Sequence, residues 1–193
     1  MVNTHKPILT PFFEELQGTR ILLRGYHEND APAFFDAVVK SRDRLRPWDD
    51  WPDKCETLEI ARAWLREDMA RWLLREQFQV GIWDRESKQF FGNIMLRPHN
   101  WAIPFFEIGY WLRSTAEGKG YMTEAVQLLT DYAFDQLGAR RVMLRIDERN
   151  QRSIALAERL HFQREGTLRN QERAADGTLR NMVIFALTPS DRS

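Results

Sequence analysis

Glu107-Ile108-Gly109-Tyr110-Trp111-Leu112-Arg113-Ser114-Thr115-Ala116-Glu117-Gly118-Lys119-Gly120 changes character half-way along. Residues 104–113 are rich in aromatic and β-branched side chains and read as a strand. Residues 118–137 read as an amphipathic helix, with Val126, Leu129, Ala133 and Leu137 on one face and Gly138 as its C-terminal breaker. The loop between them carries the chemistry. Backbone N–H groups at a helix start, backed by the positive end of the helix dipole, form an anion site. Gly118 and Gly120 lack a Cβ, so a phosphate can come close to the backbone, and Lys119 adds positive charge. The loop is too short for a Walker-type phosphate loop, and no Ser or Thr follows the lysine to hold magnesium. It also lacks the full Gly-x-Gly-x-x-Gly fingerprint. Alone, it says only that an anion could sit at a helix start, and an ordinary glycine-containing helix start reads the same way.

Working outward, residues 140–147 read as a strand and 150–160 as a short helix. Residues 161–168 and 178–187 read as closing strands around an Asp176-Gly177 turn. Upstream, residues 19–26 form a strand. Residues 27–30 offer an N-cap to a helix over 31–40, with Pro32 in its first turn and Phe34, Phe35 and Val38 as its buried stripe. Residues 44–52 read as irregular. Thr57 caps a long helix over 57–77, in which Ile60, Trp64, Met69, Trp72 and Leu73 recur at helical spacing. Residues 78–84 and 89–97 form a hairpin, and residues 98–102 turn the chain again. Residues 1–16 read as an N-terminal arm and 17–189 as one domain. The order of elements predicts an α+β fold: a single mixed, mostly antiparallel sheet flanked by helices.

Composition narrows the classes. The chain has 193 residues, 43% hydrophobic and 12% aromatic, which suits one packed domain. Lys plus Arg and Asp plus Glu are 28 each, and no basic run stands out, so no nucleic-acid partner is expected. The single cysteine, Cys55, excludes an internal disulfide and a cysteine-rich zinc site, and a reduced, cytoplasmic location fits. His5, His27, His99 and His161 are too scattered to predict a metal site. Residues 1–13 lack the apolar core of a signal peptide, and no apolar stretch reaches the roughly 20 residues that span a bilayer, so no membrane association is expected.

A second motif makes the loop specific. Asn150-Gln151-Arg152-Ser153 opens a helix just after a strand, and Leu156 to Phe162 follow in the pattern Asn-x-x-Ser-x-x-Leu-x-x-x-x-x-Phe. Joined to Gly118-Lys119-Gly120-Tyr121-Met122-Thr123-Glu124-Ala125, this resembles the GNAT superfamily of acetyltransferases, most closely its ribosomal-protein N-terminal acetyltransferase branch (RimJ/RimL type). The resemblance covers roughly residues 91–169. It implies the GNAT-like acyl-CoA N-acyltransferase fold and acetyl-CoA as donor. Glu117, Gly118, Lys119, Gly120, Tyr121, Met122 and Thr123 would hold the pyrophosphate. Tyr110, Trp111 and Leu112 would run beside the pantetheine arm, where the family's strand splays from its neighbour. A backbone N–H near Leu112 would polarise the thioester carbonyl, and Asn150 would hydrogen-bond the pantetheine arm. The sequence departs from the family pattern at Thr115, where Gln or Arg is common, at Ala157, where relatives carry a tyrosine acid, and at His161, where a glycine is usual.

An ammonium group must lose a proton before it can attack a thioester. Glu107 is the candidate base. It stands among apolar residues, which would raise its pKa, and strand alternation puts it on the face of Gly109 and Trp111. The alternative is an exposed carboxylate on the other face. Ser153 is the nearest substitute for the missing tyrosine acid, or else a helix-start hydrogen-bonding residue. Trp48 and Trp51 either line the acceptor pocket or pack their loop onto the core. Asp49, Asp50 and Asp53 either attract a cationic acceptor or form a solvated loop. The expected function is N-acetylation by direct attack of a primary amine, on a protein N-terminus or a small amine. The alternatives are a polyamine or antibiotic acetyltransferase, a non-catalytic acyl-CoA-binding sensor, and a nucleotide-binding protein. Open sheet edges allow a homodimer.

Overall fold

The computed structural model describes residues 6–174 and 176–192. Its strands are β1 (Glu15–Gln17), β2 (Ile21–Gly25), β3 (Phe78–Asp84), β4 (Phe90–Asn100), β5 (Phe105–Leu112), β6 (Arg141–Asp147), β7 (Gln163–Arg173) and β8 (Leu179–Leu187). Its helices are α1 (Ala31–Leu45), α2 (Trp51–Lys54), α3 (Leu58–Leu74), α4 (Tyr121–Asp135) and α5 (Gln151–Arg159). The strands form one 8-stranded sheet in the order β1-β2-β3-β4-β5-β6-β8-β7. Every neighbouring pair is antiparallel except β5 and β6, which are parallel and joined through α4. The α+β, mixed-sheet expectation holds.

The strands alternate their side chains between two cores. Phe106 and Ile108 of β5, Val142, Leu144 and Ile146 of β6, and Val183 and Phe185 of β8 face one side. There they meet Ala125, Val126, Leu129 and Ala133 of α4, and Leu156 and Ala157 of α5. On the other side, Leu22, Trp83 and Phe90 pack with Phe34, Ala37 and Val38 of α1 and Ala61 and Leu65 of α3.

Several expectations shift. The expected arm falls partly outside the described residues (1–5), and its remainder is stitched into the domain. Phe12 stacks on Phe78 at 3.7 Å between ring centroids, and β1 pairs with β2. The first helix runs on past residue 40, because Ser41 and Leu45 are buried and the Arg42 guanidinium donates to the Pro52 and Cys55 carbonyls. The stripe expected on α3 holds in part: Trp64 and Trp72 pack against the cores, but Ala61 and Leu65 are the fully buried residues, and Met69 and Leu73 are exposed. β4 continues through Pro98 with a register shift, so the turn falls after Asn100. α4 begins at Tyr121, because Gly118 and Gly120 take left-handed backbone angles, φ 74° and 81°.

Asp68 lies one turn beyond Leu65, on the packed side of α3. Burial pushes its carboxyl from 3.8 up to about 7, with Arg71 pulling the other way and Glu67 adding to the rise. A carboxyl raised in the folded state stabilises the fold while protonated, and that contribution is lost as pH climbs through about 7. Replacing Asp68 by Asn is therefore expected to leave the urea midpoint unchanged near pH 4 and to raise it near pH 8. A midpoint difference that does not vary with pH would contradict this.

Candidate active site

The parallel pairing of β5 with β6 ends at Ile108 opposite Leu144, although β5 runs on to Leu112 and β6 to Asp147. The two strands separate beyond that point. On its other edge β5 stays paired with β4 as far as Leu112 opposite Gly92, and the Arg113 N–H donates to the Phe91 carbonyl at 2.8 Å. In an antiparallel ladder the backbone groups alternate in direction. The N–H and C=O of Tyr110 and Leu112 therefore point toward β6 and meet no strand there. Buried backbone groups left this way call for a partner. An amide-bearing chain such as a pantetheine arm, which carries both donors and acceptors, fits that gap.

The loop beyond β5 is held from three sides. The Ser114 N–H donates to the Ser41 hydroxyl at 3.0 Å, and Arg113 reaches Asp36 at 3.4 Å, both on α1. Arg20 donates to the Lys119 carbonyl at 2.7 Å and pairs with Glu124 at 3.0 Å. Its guanidinium lies 4.9 Å from the Tyr121 ring centroid, and Tyr121 in turn stacks on Phe91 at 4.4 Å. The first intrahelical donor of α4 is the Glu124 N–H, to the Gly120 carbonyl. Among the described residues, none of the backbone N–H groups at 118–123 has a protein acceptor. This is a fixed, unsatisfied cradle of donors, the arrangement a pyrophosphate requires. Lys119 is exposed at its rim.

Across the gap, Asn150 caps α5, its side-chain oxygen accepting from the Ser153 N–H at 3.2 Å. The cap uses the backbone of Ser153 and the carbonyl oxygen of Asn150. It leaves the serine hydroxyl and the Asn150 amide nitrogen available. The Tyr110 hydroxyl is buried close to Ser153 without a hydrogen bond of good geometry. Burial pushes that hydroxyl up to about 12, with Ser153 opposing, so Tyr110 stays protonated. Ala157 is fully buried in the core and offers nothing to the chemistry.

On the opposite face of the sheet, Glu107 points where strand alternation placed it, but its surroundings are charged. Arg97 and His99 Nε2 reach its Oε2 at 2.6 and 2.7 Å, and Arg145 lies 3.4 Å from Oε1. Burial pushes the carboxyl up, but the bonds from Arg97 and His99 and the charge of Arg145 outweigh it and hold Glu107 below the usual carboxylate range. The expectation of a raised pKa is overturned. The ladder continues: Arg145 pairs with Glu172 at 3.3 Å, Glu172 with Arg180 at 3.2 Å, and Asp147 with Arg149 at 2.7 Å. Arg180 also donates to the Trp48 carbonyl, which ties the β7–β8 hairpin to the loop before α2. Trp51 packs on Trp111 at 5.4 Å and on Phe34, while Trp48 is 36% exposed at the edge of this charged row. Asp50 is paired with Lys54 and Asp53 with Arg46, both at 2.7 Å, while Asp49 accepts from the Asp50 and Trp51 N–H groups.

Residues 20–163 match the acetyltransferase (GNAT) domain family. The chain belongs to the GNAT acetyltransferase family. It is an acetyl-CoA-dependent N-acetyltransferase, with acetyl-CoA as its donor. It is 27% identical over 180 residues to the [ribosomal protein uS5]-alanine N-acetyltransferase of Escherichia coli, covering 89% of each chain. A solved RimL ribosomal L7/L12 alpha-N-protein acetyltransferase in complex with coenzyme A superposes with a TM-score of 0.82 at 26% identity, over 91% of this chain and 98% of that one. The ribosomal-protein-S5-alanine acetyltransferase of Vibrio fischeri gives a TM-score of 0.83 at 20% identity, over 93% and 98%, a likeness of fold. No helix among the described residues of the acetyltransferase is long and apolar enough to cross a membrane.

Sequence reasoning missed Arg20, Arg97, Arg145, Asp147 and Arg180. Alternation along β6 could have placed Arg145 and Asp147 on the face of Met143, opposite Glu107; nothing local points to Arg20 or Arg180. Gly92 was also unremarked. A Cβ there would lie 2.3 Å from the Trp111 carbonyl oxygen and 2.8 Å from the Leu112 Cα. Gly92→Ala should push β5 away where it borders the gap, costing about 1–3 kcal/mol of stability and weakening CoA binding on the order of tenfold by calorimetry. Unchanged affinity would show that the gap tolerates displacement of β5.

Proposed function

We propose that this acetyltransferase modifies the N-terminal amine of a protein. The observation that carries the reading is the face of the sheet opposite α4 and α5, which continues past β5 as a row of paired charged side chains rather than apolar ones. It leads from the β7–β8 hairpin to the gap beside Gly109, a path suited to an extended chain end. Similarity to enzymes named for ribosomal-protein N-termini supports the same acceptor. Such an acceptor implies a cytoplasmic enzyme. A polyamine is less well served, because every carboxylate of this row is paired with an arginine and Asp50 and Asp53 are paired with Lys54 and Arg46. The reading includes a homodimer paired through an open edge, for which β7 offers eleven largely exposed residues.

When bound, acetyl-CoA supplies the acetyl group as a thioester. The N–H groups of residues 118–123 hold its pyrophosphate, and the Asn150 amide donates to the pantetheine arm. The free N–H of Leu112 donates to the thioester oxygen, where charge develops during attack. The acceptor amine gives up its proton to Glu107 through water, and the C–N bond forms as the C–S bond breaks, with no covalent enzyme intermediate. The Ser153 hydroxyl, which the cap does not use, would relay a proton from solvent to the departing sulfur, taking one as it gives one. Glu107, held low, is ionised across neutral pH, so kcat/KM should follow deprotonation of the acceptor and rise up to about pH 8.

The test is CoA release with peptides beginning in Ala or Ser against spermidine and free amines. Peptides are expected to turn over at least about tenfold faster, in line with differential recognition of about 1.4 kcal/mol or more. Glu107→Gln should lower kcat on the order of a hundredfold while CoA affinity holds. An unchanged kcat would remove Glu107 from the reaction, and faster turnover of spermidine would overturn the protein acceptor.

A further inference from the structure

Glu117 is out of place for a residue beside a pyrophosphate. A carboxylate there repels the ligand that the neighbouring N–H groups are arranged to hold. Two guanidiniums answer it. Arg152 reaches Glu117 Oε2 at 2.5 Å and Arg44 reaches the same oxygen at 3.0 Å. The three residues come from three different elements. Glu117 stands on the loop five residues past the end of β5, Arg152 in α5 five residues past the end of β6, and Arg44 in the last turn of α1. Since β5 and β6 separate beyond Ile108 and Leu144, the Glu117–Arg152 pair joins the two lips of the gap at its open end. Arg44 braces it from the acceptor side of the sheet.

We infer that Glu117 is a latch: it closes the mouth of the gap by holding Arg152 and Arg44, and it hands both guanidiniums to the phosphates of acetyl-CoA as that molecule enters. This rests on the reading that the N–H groups of residues 118–123 hold the pyrophosphate; the Glu117 N–H is itself turned to the Ser114 carbonyl. The strength of the pair suits the role. Arg152 is 76% and Arg44 55% exposed at their side chains, and exposed ion pairs are weak and easily exchanged. A phosphate brings more charge than one carboxylate and accepts from guanidinium in the same fork geometry. With Glu117 the group carries one net positive charge; without it, two. The carboxylate thus competes with the ligand rather than contacting it.

The experiment is CoA binding, by calorimetry and stopped-flow fluorescence, to the wild type, Glu117→Gln, Arg152→Met, Arg44→Met and the double variant E117Q/R152M. Glutamine keeps the shape and removes the charge. Glu117→Gln is expected to bind CoA faster and about fivefold tighter, the scale of one exposed ion pair released. Arg152→Met and Arg44→Met should bind more weakly, and E117Q/R152M no more tightly than Arg152→Met alone. If Glu117→Gln binds no better than the wild type, or if its gain persists without Arg152, the latch is wrong while the pyrophosphate reading stands. A wild type that fails to bind CoA removes that reading and the latch with it. Unchanged melting temperatures across the set exclude unfolding as the cause of weak binding.

Discussion

Backbone pairing between β5 and β6 stops at Ile108 and Leu144, and the other features of the site are arranged around that stop. Unpaired backbone in a sheet costs free energy, so something must hold the strands apart. Each strand is secured by its other neighbour. β4 keeps β5 in register out to Leu112, with Gly92 allowing the close approach, and β8 keeps β6 in register out to Asp147. Beneath the gap, Ala125, Val126 and Leu129 of α4 and Leu156 and Ala157 of α5 form a rigid floor. The fully buried Ala157 belongs to this floor, and its methyl group supplies packing but no acid.

The loop at the mouth shows the same division of labour. Two left-handed glycines turn the chain so that successive N–H groups face outward instead of pairing. Beyond the tight turn at Ser114–Ala116, the loop's N–H groups at residues 118–123 make no backbone bonds among the described residues, and its shape there comes from a distance. Arg20, more than ninety residues away in sequence, fixes the Lys119 carbonyl and Glu124, and Ser41 fixes Ser114. Preorganisation of this kind lets donors bind an anion without first reorganising.

What the sequence made legible follows from range. The glycine loop before a helix, the helix opening at Asn150 and the α4 stripe depend on neighbours within a few residues and stand, as does the element order apart from β1 in the expected arm and α2 in the stretch read as irregular. The fully buried face of α3 was not legible, because Met69 and Leu73 fit helical spacing as well as Ala61 and Leu65 do, and only contact with α1 and the sheet chooses between them. Glu107 shows the same limit in electrostatics. Its near neighbours in sequence are Phe105, Phe106 and Ile108, which suggest a raised pKa. Its near neighbours in space include Arg97 and His99 of β4 and Arg145 of β6, which lower it. Of the charged face, only Glu107, Trp48 and Trp51 could be singled out in advance, since the ladder joins five strands, β4 to β8.

As the proposed base, Glu107, held below the usual carboxylate range, has a consequence for the acceptor. It cannot strip a proton from a strongly basic amine at useful cost, so the free amine must come largely from the acceptor's own equilibrium. A protein N-terminus titrates near 7.7–8.0 and a lysine-like amine near 10.4. At neutral pH that difference alone leaves the α-amine roughly three hundredfold richer in its reactive form. That preference for an N-terminal amine over a polyamine comes from the amines' own acidities and would hold for any carboxylate base. Rate must then come from placement of the amine on the charged face and from the free N–H groups at the gap, with proton removal the smaller part.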